Sequence, residues 1–256
     1  MSKKEKDSFG DRMKAYEAVS DTRLMKRCPV IIRLDMRAGH TFTKGFDRPF
    51  DDAFADTMQL TMKALCENIQ GCVFGYVQSD EITLVLCDYQ TYETSAWFDY
   101  RLEKVCSLSA SMASRFFNKF FIDYITAKKK YHPDFPIEKY ERRFFTADFD
   151  SRAFNVPKED VCNNILWRQK DAERNSILMV AQSMYKQKEM QGISCKLLQD
   201  KMFTEKGVNW NDVPTKYKRG CACIRDELGE WFIDYEMPIL TQDRAYVEDR
   251  INFPDP

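Results

Sequence analysis

An α+β fold built on an antiparallel sheet is expected for this chain, on three observations. Short runs rich in β-branched and aromatic residues alternate with longer segments whose apolar residues recur every three to four positions. Two of the short runs are joined by only four polar residues, the length of a tight hairpin. The order strand, helix, strand, strand, helix, strand is the split βαβ, or ferredoxin-like, arrangement: an antiparallel sheet with helices on one face.

The elements follow in order. Gly10 to Leu24 carries Met13, Tyr16 and Val19 on one side and reads as an amphipathic helix. Cys28 to Leu34 is a β-branched run closing on the charged segment Asp35–Met36–Arg37, the pattern of a buried strand whose C-terminal end lies at a functional edge. Phe50 to Ile69 places Phe54, Met58, Met62, Leu65 and Ile69 at helical spacing, with Asp51 and Asp52 suited to the positive end of the helix dipole. Strands are expected over Cys72–Val77 and Ile82–Cys87, joined by Gln78–Ser79–Asp80–Glu81. A helix from about Tyr100 to Ile125 has Leu102, Val105, Ser109, Met112 and Phe116 along its inner stripe, and Phe144–Phe149 is the expected fourth strand. Beyond Asn155 the chain is more helical, with helices over Lys158–Gln187 and Cys195–Phe203 and late strands over Cys221–Arg225 and Glu230–Tyr235. Residues 1–154 thus read as one domain, and 155–256 as a helix-rich extension with a strand pair, packed on it.

Composition narrows the function classes. The chain has 256 residues, 44% hydrophobic and 31% charged, enough for a sizeable core and typical of a soluble globular protein. Its apolar stretches are far shorter than the ~20 residues needed to cross a bilayer, so no membrane partner is expected. Met1 to Gly10 is polar and lysine-rich, which predicts a short disordered arm rather than a signal peptide, and a cytoplasmic location. Nine cysteines without a CxxC spacing fit reduced core thiols. Cys221 and Cys223 would share a strand face, but only two histidines exist to complete a zinc site. With 39 basic and 40 acidic residues the net charge is −1, which by itself does not point to nucleic acid. A local stripe would suffice. Lys128–Lys130, Lys139 with Arg142–Arg143, and Lys216–Arg219 are candidates, or simply solvated faces.

In this topology the end of the first strand lies beside the hairpin between the second and third, so Asp35 and Asp80 can converge. Nucleotidyl transfer requires that geometry, because two divalent ions ~3.5–4 Å apart bridge the attacking and leaving oxygens. Carboxylates are hard oxygen ligands, substrate phosphates complete an octahedral shell, and the Met36 carbonyl can add a ligand. Glu81 is a second carboxylate that tunes the site or faces away. The alternative is structural: an aspartate ending a strand and another supplying a turn. His40 can orient a phosphate or assist proton transfer, or be a loop residue without a chemical role. Arg101 and Lys104 share a helix face, with Ser107 next along it, and can hold a triphosphate or merely solvate the helix. Neither a GxxxxGK[ST] phosphate loop nor a GxGxxG fingerprint is present.

These residues resemble the tRNA-His guanylyltransferase superfamily, and within it the bacterial- and archaeal-type 3′-to-5′ RNA polymerase branch, from about Lys14 to Arg225. Ile32–Arg33–Leu34–Asp35–Met36–Arg37–Ala38–Gly39–His40 is similar to the family's R-hydrophobe-D-G-R-x-F-H signature. Arg48–Pro49–Phe50–Asp51 resembles K-P-x-D, and Phe74–Gly75–Tyr76–Val77–Gln78–Ser79–Asp80–Glu81 resembles F-G-Y-x-Q-S-D-E, the most specific block. Arg101, Lys104 and Ser107 fit R-x-x-K-x-x-S, Phe149–Arg152 fits F-D-x-R, and Trp167–Arg168–Gln169 is similar to W-R-Q. Gly207–Asn211 and Lys218–Arg219–Gly220 resemble the closing motifs.

The resemblance implies a polymerase palm in which Asp35, the Met36 carbonyl and Asp80 bind two magnesium ions. It implies nucleotide contacts from Arg37, Ala38, Gly39, His40, Ser79, Arg101 and Lys104, and RNA or phosphate contacts from Arg48, Arg152, Asn175 and Arg219. It further implies that ATP activates a 5′-monophosphorylated tRNA, that the 3′-hydroxyl of an incoming nucleotide such as GTP attacks that phosphate, and that the protein is a tetramer, a dimer of dimers. The chain departs from the pattern at Met36, where the family has glycine, at Gly39, where it has phenylalanine, and at Arg48, where it has lysine. Glu173–Arg174–Asn175–Ser176 replaces the eukaryotic H-I-N-N segment, which argues for templated repair of 5′-truncated tRNA over dedicated guanylate addition. Met36 and Gly39 motivate one alternative, a non-catalytic RNA-binding protein on a degenerate palm. A nucleotide cyclase is the other, disfavoured by the long helical C-terminal region.

Overall fold

In a computed structural model, residues 8–253 are described; most of the expected N-terminal arm lies outside them. The described residues form, in order, α1 (Ser8–Ala18), β1 (Val30–Met36), α2 (Gly39–Phe42), α3 (Asp52–Asn68), β2 (Cys72–Gln78), β3 (Glu81–Leu86), α4 (Leu102–Tyr131), α5 (Glu138–Glu141), β4 (Phe149–Asn155), α6 (Lys158–Gln182), α7 (Gln187–Met190), α8 (Cys195–Lys206), α9 (Thr215–Lys218), β5 (Cys221–Arg225), β6 (Trp231–Asp234) and α10 (Ala245–Glu248). The strands make one antiparallel sheet in the order β4-β1-β3-β2-β5-β6. Its first four strands have the ferredoxin-like order, so the expected α+β palm is present.

β1 decides how the sheet is covered. Ile32, Leu34 and Met36 point to one face, where α3 and α4 close over them. Phe42, Phe54, Phe117 and Phe121 interlock there at centroid distances of 5.5–6.1 Å, mostly tilted or edge-on, with Phe117 and Phe121 stacked. Gly75 on β2 is required by this packing, since a Cβ would stand 2.5 Å from the Cys66 sulfur of α3. Asp51 caps α3, accepting the Phe54 amide at 3.0 Å and the Tyr140 hydroxyl at 2.8 Å. Ile31 points to the other face. With Phe74, Tyr76 and Val85 it is buried against Val161, Cys162 and Ile165 of α6 and against Met237, Leu240, Val247 and Ile251. The C-terminal residues therefore cover the opposite face and also extend the sheet, through β5 paired to β2.

Two expectations are corrected. The fourth strand is not Phe144–Phe149 but Phe149–Asn155. Phe145 sits at φ 60° and is 80% exposed, in the turn leaving α5, whereas the more polar 149–155 segment is drawn into the ladder by its register with β1, Ile31 opposite Phe154 and Met36 opposite Phe149. The first helix ends at Ala18 rather than Leu24, and none of its residues is buried. Asp21 and Arg23 leave the helix to meet Arg101, through an ion pair and an isolated β-bridge.

The candidate basic stripes are largely engaged within the chain. Lys139 pairs with Asp47, Lys216 with Asp52 and Asp56, and Arg142 and Arg143 donate to the Lys44 and Thr41 carbonyls. All nine cysteines are free. Among the described residues no helix is long and apolar enough to cross a membrane.

Candidate active site

β1 delivers Asp35 and the β2–β3 hairpin delivers Asp80. The two elements are joined where the Met36 amide donates to the Asp80 carbonyl at 3.0 Å. Ser79 takes the left-handed conformation (φ 49°) that this two-residue turn imposes, at a cost of roughly 1–2 kcal/mol for a side chain with a Cβ. Burial pushes the Asp80 carboxyl up, the turn's own amide and Ser79 pull it down, and the Asp35 charge adds to the upward push. An anion in that position is short of positive charge, which is what a cation site requires.

Asp35 stands on the face away from α3 and α4. It lies opposite Glu81 on β3 and Asp150 on β4. One of its carboxylate oxygens faces Arg152 at 3.3 Å and Arg33 at 3.6 Å. Glu81 is withheld from the pair: Arg168 of α6 grips it with two bonds of 2.6 and 2.8 Å, both residues being buried. Burial pushes the Glu81 carboxyl up and Arg168 opposes it. Arg168 also donates to Asp171, which accepts from Asn175 at 3.3 Å.

The donor set fits magnesium, which keeps several waters and needs only one or two carboxylates beside substrate phosphates. Asp35 and Asp80 would hold it, with the Met36 carbonyl. Met36 is a regular strand residue without a positive φ, its side chain buried in the core, so replacing glycine costs nothing here and leaves only its backbone available. Gly39 matters more. A Cβ at this position would lie 2.1 Å from Asp80 Oδ2 and 3.0 Å from the Asp80 Cβ, so the carboxylate occupies the volume a side chain would need. Gly39→Ala is expected to displace that carboxylate and weaken Mn2+ binding roughly 10- to 100-fold, the usual cost of disturbing a ligand's support. Titration followed by electron paramagnetic resonance reads this directly, and unchanged affinity would show that Asp80 moves without penalty.

The other expected residues divide. Arg37 and Ala38 are exposed on the loop leading into α2, Ala38 in the left-handed region, His40 is exposed in α2, and Ser79 is exposed on the hairpin. These border the carboxylates. Arg48 is exposed before α3. The Arg219 side chain is half-buried near Glu173, and its carbonyl accepts the Tyr76 hydroxyl at 2.6 Å. Arg101 and Lys104 are not brought to the pair within one chain. α4 lies on the opposite face and passes Ser151 at its Ser109, level with Leu34, so Arg101 stands roughly 12 Å further down the helix. There Arg101 holds Asp21 with bonds of 3.0 and 2.9 Å.

Those bonds to Arg101, helped by Arg23, hold the Asp21 carboxyl down at about 2, below its ordinary 3.8. A depressed carboxyl contributes stability above its unfolded value and loses it as pH falls through the folded one. Arg101→Ala is therefore expected to flatten the acid limb of the stability profile between about 4 and 2, measured by thermal unfolding against pH; an unchanged limb would remove Asp21 from the account.

In the sequence Arg33, Trp167 and Arg168 stand out only as members of motifs. The signal that could have found Arg168 is a strongly basic residue at a buried helix position, which demands an acidic partner.

A ferredoxin-like sheet with Asp35 at the end of β1 and Asp80 in the hairpin joined to it is an architecture that palm-type nucleotidyltransferases use. The family described as "Thg1: tRNAHis guanylyltransferase" matches residues 10–157, more than half of the chain, and the chain belongs to that family of nucleotidyltransferases. Among curated relatives, a probable tRNA(His) guanylyltransferase of Mus musculus is 26% identical over 83% of this chain and 69% of its own length. The tRNA(His) guanylyltransferase of Eremothecium gossypii is 26% identical over 83% and 88%. Among solved structures, a bacterial tRNA(His) guanylyltransferase (Thg1)-like protein in complex with ATP superposes with a TM-score of 0.84 at 40% identity, covering 96% of this chain and all of that one. A bacterial Thg1-like protein in complex with GTP gives 0.75 at 37% identity over the same shares.

Proposed function

We propose that this protein adds nucleotides in the 3′-to-5′ direction to the 5′ end of tRNA or tRNA-like RNA, in templated repair of 5′-truncated molecules in the cytoplasm. The observation that carries the reading is the hairpin of Asp80 joined to the end of β1 beside Asp35, with Glu81 locked away by Arg168. In the first step the RNA 5′ phosphate attacks the α-phosphorus of ATP, and pyrophosphate leaves. In the second the 3′-hydroxyl of the incoming nucleotide attacks the activated 5′ phosphorus, AMP leaves and the hydroxyl proton passes to solvent or base. Two magnesium ions, when bound, neutralise charge on the attacking and leaving oxygens.

The chain's own groups do the rest. Asp35 and Asp80 hold the charge that recruits the cations. Arg152, half exposed beside Asp35, is placed to meet an RNA phosphate. Arg37, Ser79 and His40, exposed around the hairpin of Asp80, are placed to meet an incoming nucleotide. Residues 1–154 form the catalytic unit and 155–256 its cover. Arg101 and Lys104, remote from the pair in their own chain, would meet a triphosphate only across a subunit boundary of the tetramer.

The likeness to the bacterial proteins with ATP and GTP supports nucleotide use, and the absence of an H-I-N-N segment supports repair over dedicated guanylate addition. Incubation with ATP, GTP, magnesium and a labelled 5′-truncated tRNA is expected to lengthen the RNA at its 5′ end. An RNA that is bound and shifted but never lengthened would overturn the proposal in favour of a non-catalytic RNA binder.

A further inference from the structure

α6 divides the face of the sheet that carries Asp35. Its Val161, Cys162 and Ile165 seal it over β2, β3 and the Ile31 end of β1. Toward the Asp35 end of β1 and the facing part of β4 the face is open, with Asp150 and Arg152 exposed and Arg33 and Asp35 half-buried. At the boundary stands Trp167. The same turn of α6 that buries Arg168 and Gln169 turns the indole outward, 54% exposed.

Two cations fix where that ring sits. The guanidinium carbon of Arg168 is 4.5 Å from its centroid and that of Arg33 is 5.8 Å away. These are the residues that hold the site's carboxylates, Arg168 on Glu81 and Arg33 beside Asp35. The indole is thereby tied to the carboxylate floor while most of its surface faces solvent. A large aromatic left in water at that place gains from an aromatic partner, and the open shelf in front of it is bordered by Arg152, a charge suited to phosphate.

We propose that Trp167 is the stacking platform for a nucleobase presented to the Asp35–Asp80 pair. The inference rests on the nucleotidyltransferase reading above and adds to it a positioning contact that is indifferent to base identity, because every base offers a π face. The base has two sources, the 5′-terminal nucleotide of the RNA or the incoming nucleotide.

Trp167→Leu removes the ring and Trp167→Phe keeps one. Equilibrium binding is measured by fluorescence anisotropy for a 5′-truncated tRNA and for the same RNA made abasic at its 5′ terminus. Nucleotide affinity is measured in parallel with GTP and with ribose triphosphate lacking a base. Thermal unfolding confirms that both variants are folded. Trp167→Leu is expected to weaken one of these ligands roughly 5- to 100-fold, with Trp167→Phe recovering most of the loss. The matching baseless ligand should lose the same factor with wild-type protein and nothing further with the leucine variant, and whichever ligand shows this identifies the source. Equal affinities of wild type and Trp167→Leu for both intact ligands would overturn the proposal, as would independent, multiplying losses. If the wild type binds RNA without extending it, the function reading fails while these binding cycles still decide the role of Trp167.

Discussion

Replacing Asp80 by asparagine is expected to abolish magnesium-dependent nucleotide addition while making the metal-free protein more stable. Burial pushes the Asp80 carboxyl up and the Asp35 charge pushes it further, so the folded chain prefers the protonated form more than the unfolded chain does. A carboxyl raised in this way binds more protons when folded, and stability falls as pH rises through the window above its ordinary value. At neutral pH the charge is a burden on the metal-free fold, which asparagine removes. Activity goes the other way, because the neutral amide cannot replace a metal-ligating carboxylate. Loss of a single group that stabilises developing charge costs roughly 10²–10³ in rate, and loss of a metal ligand costs at least that. Asp35→Asn should lose activity to a similar degree with little change in stability, since its partner Arg152 is half exposed and such pairs are worth about 0–1 kcal/mol. Single-turnover extension assays and thermal unfolding in a chelator measure the two effects. Retained extension in both variants would discard the metal assignment.

The second large effect is on folding. Arg168→Met is expected to cost about 3–5 kcal/mol, because it leaves the Glu81 carboxylate buried without its partner. For a chain of this length that is a drop of roughly 10 °C in Tm. The unpaired Glu81 carboxyl rises further above its ordinary value, so the variant should be more stable at mildly acidic pH than at neutral pH, where the charge must form. The double variant Arg168→Met with Glu81→Leu should recover most of the loss, as apolar replacements of buried ion pairs commonly do. Failure of the double variant to recover would show that Arg168 acts through Asp171 instead. Extension by the double variant reports separately whether fixing Glu81 also positions Asp35, its partner across β1 and β3.

The legible parts of this protein were those in which local pattern and local chemistry agree. β1, β2 and β3 show apolar runs, and the polar link Gln78–Glu81 has the length of a hairpin. α3 and α6 have the right period, and Asp51 lies where a helix cap belongs. The convergence of Asp35 and Asp80 followed from strand order, because antiparallel neighbours place one strand's end beside the next hairpin. The fourth strand was not legible. Phe149–Asn155 is polar enough to read as a loop, and only its ladder with β1 makes it a strand, whereas Phe144 and Phe145 carry the apolar signal without a partner strand.

What the sequence determined by itself, then, was the α+β class, the palm order of its strands and the placement of Asp35 at a strand end beside the hairpin of Asp80, since each depends on periodicity and residue type along short stretches. The tertiary structure alone decided which charges are available. It consumed Glu81 in a buried pair with Arg168, spent Arg101 on Asp21 at the far end of the sheet, fitted the Asp80 carboxylate against a glycine and left Trp167 facing an open shelf. Those outcomes depend on contacts between residues from 41 positions apart (Gly39 and Asp80) to 134 (Arg33 and Trp167), and no local pattern encodes the distance between them.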